Sequence, residues 1–74
     1  MSRLQELFEG CVTGARMARD NARNDRRMAR EWPADAAEYE ADARKAFRRA
    51  HEYLRMARSF RDSIESRSYA HAAE

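Results

Sequence analysis

The sequence predicts an all-α fold, an antiparallel hairpin of two long helices, and three observations carry that expectation. Glycine and proline supply only three of the 74 residues while 38% are charged, a composition that suits long helices and leaves little for hairpin turns or sheet. The single proline, in EWPADAAE, divides the chain near its middle. On both sides of it, apolar and small residues recur at alternating spacings of three and four, the 3.5-residue repeat of helices packed side by side.

The first helix is expected from about Arg3 to Glu31. Ser2 and Gln5 form an S-x-x-Q capping signal at its start. Trp32, placed before Pro33, is biased away from helical backbone angles and marks its end. Gly10 and Gly14 lie inside it, each costing about 1 kcal/mol relative to alanine. A break at that pair, leaving a short helix over Arg3–Glu9, is the competing segmentation. Residues 32–35 form the turn. Asp35 and Glu38 then give a D-x-x-E variant of the capping box, so the second helix is expected from about Ala36 to Ser66. The tail 67–74 is expected to fray, and residues 1–74 make one domain.

Each helix carries a seam. In the first it runs Leu4, Phe8, Cys11, Ala15, Ala18, Ala22, Asp25, Ala29 and Trp32. In the second it runs Ala36, Tyr39, Ala43, Ala46, Ala50, Tyr53, Ala57, Phe60 and Ile64. Folding the chain at the proline pairs Leu4 with Ile64, Phe8 with Phe60, Ala18 with Ala50 and Ala29 with Tyr39. The residue numbers of every such pair add to 68, so one register serves the whole length, and a short connection requires antiparallel neighbours. On the flanks, this register sets Val12 against Leu54, Arg19 against Phe47, Arg26 against Glu40 and Gly14 against Met56. Asp25 interrupts the seam; it is expected either at the rim beside an arginine such as Arg44, or buried as a polar group that fixes register.

The tetrapeptide RMAR occurs at Arg16–Arg19, Arg27–Arg30 and Arg55–Arg58. Each copy puts its alanine (Ala18, Ala29 or Ala57) in the seam and its methionine beside it. The arginines fall towards the rim, where stems cover apolar surface and heads reach water. RMAR is therefore first a packing unit. Acidic residues one turn away from Arg16, Arg27, Arg44, Arg48, Arg58 and Arg61 allow local ion pairs along the exposed surface.

A seam made largely of alanine gives a lone hairpin little to bury. Phe8, Val12, Phe47, Tyr53, Leu54 and Phe60 form a further apolar strip, and a second copy packed on it would complete a four-helix bundle. A homodimer is the expected assembly.

Several function classes find no support in the sequence. Cys11 is the sole cysteine and His51 and His71 are the only histidines, so no intrachain disulfide can form and no cysteine cluster exists for zinc. Cys11 is expected as a small buried apolar group, and His51 as a partly exposed helix residue. Gly10 and Gly14 lack the lysine and preceding strand of a phosphate loop. No catalytic group, metal or cofactor is expected, and the chain is read as non-enzymatic. No apolar stretch approaches membrane-spanning length, the start has no signal-type apolar run, and the expected location is the cytoplasm.

What remains is interaction. Arg16, Arg19, Arg23, Arg26 and Arg30 make a stripe along the first helix, with Arg44, Arg48, Arg55 and Arg58 on the second. The leading expectation is a self-associating interaction protein that binds an acidic or mixed surface of another protein. The alternative is RNA or DNA held at an arginine-rich waist with salt-dependent affinity. The hairpin-dimer architecture is similar to that of Rop, the plasmid RNA-binding protein, a likeness of fold without matching functional residues. In size and style the chain also looks like accessory proteins of phages and mobile elements, among them inhibitors of host defence such as anti-CRISPR proteins.

Overall fold

The computed structural model describes residues 2–73, with side chains through Ser68. It is an α-helical hairpin, α1 over Arg3–Glu31 and α2 over Ala36–Ala73, joined through a short 3-10 turn at Pro33–Asp35. The two helices pack along their length in a body of 63 × 17 × 12 Å.

Helix α1 begins at the expected box. The Ser2 hydroxyl accepts from the Gln5 N–H at 3.2 Å, and the Gln5 side-chain oxygen accepts from the Ser2 N–H at 3.4 Å. Two of the otherwise orphaned amide groups at the helix start are thereby satisfied. The helix then runs through Gly10 and Gly14 without a break, because packing against α2 along one face outweighs two unfavourable propensities.

The reversal occupies the expected residues, 32–35. Trp32 alone, at φ −125° and ψ 75°, ends α1 and precedes the 3-10 turn. Its N–H donates to the Met28 carbonyl at 2.8 Å, and its own carbonyl accepts from the Asp35 N–H at 3.0 Å. Pro33 occupies the first position of that turn, where its missing N–H costs nothing and its fixed φ is already helical. Asp35 is thus already wound into the turn, and among the described residues its side chain makes no capping hydrogen bond. The box expected at Asp35–Glu38 does not form, since a capping residue must stand in extended backbone. Trp32 also leaves the seam: with the chain turned out of helical geometry, its side chain is 56% exposed.

Helix α2 continues to Ala73, beyond the expected end at Ser66. The segment contains neither glycine nor proline, so no residue there forces a stop. In the seam register its last two turns extend past the start of α1.

The seam itself is the core. Among the described residues, Cys11, Ala15, Ala18, Ala22, Ala29, Ala43, Ala46, Ala50 and Ala57 are buried, and no larger side chain is fully enclosed. Leu4, Phe8, Tyr39, Tyr53, Phe60 and Ile64 are half-buried at the same seam positions. All three RMAR alanines are buried, while Met17 and Met56 stand 63% and 47% exposed. The small seam residues are concentrated through the middle of the hairpin and the large ones towards its ends. Gly14 gives the Tyr53 ring its seat. A Cβ on Gly14 would lie 2.9 Å from the ring, and the nearest atoms to it are all of Tyr53.

Candidate protein-interaction surface

The two flanks of the seam are chemically different. Along one, the grooves between the helices are lined by Phe8, Val12, Phe47 and Leu54 together with arginines. Arg16 and Arg19 flank Val12 on α1, while Arg55, Arg58 and Arg61 flank Leu54 on α2. Towards the turn, Arg26, Arg30 and Arg44 continue the same side, with Glu40 among them. The charged residues lining these grooves are eight arginines and that one carboxylate, while Glu9 and Glu65 stand on the outer rows at the far end of the same face. On the other flank, Asn21, Asn24, Asp25, Asp42, Lys45 and Arg49 line one groove, with two charges of each sign.

Helical geometry generates this sorting. Val12, Arg19 and Arg26 succeed each other at seven-residue steps, as do Phe47, Leu54 and Arg61, and each row borders the seam on the same side. Arg16 and Arg30 on α1, and Arg44, His51 and Arg58 on α2, stand one position further out. Arg23 shares that outer row and is exposed, and Arg48 is exposed on the far side of α2; neither lines a groove.

The Arg26 guanidinium lies over the Phe47 ring, 4.6 Å from its centroid, whereas the simple register sets Arg26 opposite Glu40. Helical side chains lean towards their own N-terminus. In an antiparallel pair, Arg26 and Phe47 therefore lean towards each other and meet. The contact shields one face of Phe47 and holds a cation at the edge of the strip. Leu54, 44% exposed, is the most open apolar residue of this face.

The arginines are largely unneutralised. Among the described residues the ion pairs are Arg27–Glu31 at 4.0 Å and Arg61–Asp62 at 3.9 Å, both well exposed. The other pairs allowed by spacing, such as Arg16 with Asp20 and Arg58 with Asp62, do not close. In water they gain too little to offset the freedom of two long side chains. Hence Arg16, Arg19, Arg30, Arg44, Arg55 and Arg58 present open donor forks beside the strip.

The expected self-association set is divided by this arrangement. Phe8, Val12, Phe47 and Leu54 share the arginine face. The Tyr53 ring lies over Gly14 on the other side, and Phe60 is half-buried in the seam. Asp25 is also placed differently from its expected partner. It is half-buried, not fully enclosed, makes no ion pair among the described residues, and shares its groove with Lys45 and Arg49. Arg61 and His51 join the surface although neither belongs to the expected interaction set; the place of Arg61 follows from the sequence, since it lies seven residues after Leu54.

No cluster of three or more metal-ligating residues occurs among the described residues. Cys11 is buried and unpaired; His51 is exposed beside Leu54, and His71 lies outside the residues whose side chains are described. No described helix is long and apolar enough to cross a membrane. Comparison with known protein families, characterised proteins and solved structures found no match for this chain.

Proposed function

We propose that this chain is a non-enzymatic interaction protein that binds an acidic surface of another protein through its arginine face. The observation that supports this most is the combination of Leu54, open at the centre of an apolar strip, with unneutralised arginines along both sides. Apolar anchors supply burial at the middle of an interface, and guanidinium forks at its rim select carboxylates. Occupying such a surface blocks whatever else docks there, which is how a small protein without catalytic groups inhibits a larger one. The role in a phage or mobile element expected from the sequence is one setting for such inhibition.

A second reading rests on the same eight arginines and single carboxylate, which suit phosphates as well. It leaves the apolar strip without a use: the one aromatic ring at its centre, Phe47, already carries Arg26 on one face and is poorly placed to stack bases.

The test is differential capture of proteins from a nuclease-treated extract of the source cells, using tagged wild type, Leu54→Asp, the double variant Arg19→Glu/Arg58→Glu, and Met17→Asp on the opposite face. Proteins retained by wild type and Met17→Asp but lost by the other two are expected. Equal retention by all four would defeat the proposal, and retention that disappears on nuclease treatment would favour nucleic acid.

A further inference from the structure

The structure leaves an apolar patch on the face opposite the arginines. Leu7, Met17 and Met56 are 39%, 63% and 47% exposed there. Their placement follows from seven-residue steps: Leu7 precedes Gly14, which seats Tyr53, while Met17 precedes Asn24 and Met56 follows Arg49 in the groove on that side. Between them stand Gly14 and Ser63, on the rows that border the seam, and the seam residue Tyr53. None of these carries a charge, in a chain that is 38% charged overall.

We infer that a second copy of this chain packs on this patch, forming a two-fold dimer that turns its two arginine faces outward. Two considerations select the occupant. A two-fold interface sets each surface against itself, so it must tolerate its own charges. The arginine face would bring its rows of arginines, Arg16, Arg19, Arg58 and Arg61 among them, against the same rows of the copy, and like-charge juxtaposition is costly. The Leu7–Met17–Met56 patch meets its copy without that conflict. Secondly, the hairpin has a core of alanines and one cysteine, with no large side chain fully enclosed. Such a core is thin for a chain of this length, and burying leucine and methionine across a two-fold axis adds what it lacks. Met–Met and Met–Tyr contacts also adapt readily to an imperfect surface. The self-association expected from the sequence is thereby moved from the Phe47–Leu54 strip to the opposite face, and the strip stays free for a partner. The inference stands apart from the partner-binding proposal, and either can fail alone.

Light scattering on the purified full chain tests it, with Leu7→Glu and Met56→Glu against Leu54→Glu. Wild type and Leu54→Glu are expected near twice the 8.7 kDa chain mass. Leu7→Glu and Met56→Glu should weaken dimerisation by about tenfold or more, as removal of a buried anchor does. Because folding and pairing are coupled in so small a protein, thermal unfolding is followed alongside. The midpoint should rise with protein concentration for wild type and Leu54→Glu; unfolding of the Met56→Glu chain alone would agree with the same interface. A wild type that is monomeric with a concentration-independent midpoint overturns the inference. So does a dimer that Leu54→Glu dissociates and Met56→Glu does not.

Discussion

Replacing Ala22 by leucine is expected to lower stability by about 1–3 kcal/mol, the usual cost of forcing extra methylenes into a filled core. Ala22 has no exposed surface at all, and the neighbouring seam residues Ala18, Ala46 and Ala50 are buried too. A leucine there adds three carbons to a position with no exposed surface, so the helices must spread or the side chain must leave its preferred rotamer. For so small a protein this is a large share of the total. Ala37→Leu on the exposed side of α2 serves as the control and should change stability by no more than about 0.5 kcal/mol. Urea unfolding followed by circular dichroism measures both. Equal stability of the two variants would mean that the seam is not closely packed.

The second large effect separates two glycines that look alike in the sequence. Both sit inside α1, and alanine at either position should gain about 1 kcal/mol of helix propensity. A methyl group on Gly10 meets nothing within 4 Å, whereas on Gly14 it would lie 2.9–3.1 Å from three atoms of the Tyr53 ring. The ring must move off its seat, losing packing that the propensity gain does not recover. Gly14→Ala should therefore be less stable than Gly10→Ala by about 1–3 kcal/mol, a difference in which the propensity terms cancel. Adding Tyr53→Ala should remove most of the gap. A gap that survives it would place the conflict elsewhere.

These two cases also show what was legible in the sequence. The seam was: a 3.5-residue repeat records which positions face the other helix, and the nine buried residues all belong to it. Side-chain reach was not. Spacing locates Cα atoms, but Tyr53 and Arg26 are long enough to choose among several neighbours. Tyr53 settles where Gly14 makes room, and Arg26 meets Phe47 because both lean along their helices. The ends were only partly readable. Ser2–Gln5 acts as a box because Ser2 is extended, at φ −74° and ψ 158°, while the same signal at Asp35 is lost to a turn that has already begun. Trp32 drops out of the seam for the same reason, since the repeat holds only while the chain remains helical. Of the interaction surface, the arginine rows were visible in the sequence. That they lie unneutralised beside Leu54, and that Tyr53 belongs to the opposite face, required the packed hairpin.

The central claim is that two faces of one hairpin have different work, one turned to a partner and one to a second copy. Leu54 and Met56 lie two residues apart on α2 and belong to opposite faces, so they test it directly. A photo-crosslinking amino acid placed at position 54 or at position 56, and activated in the source cells, records what each side touches. The expected result at 54 is a covalent adduct with a different protein, and at 56 an adduct of two copies of this chain. A heterologous adduct at 56 together with a self-adduct at 54 would contradict the assignment of the faces.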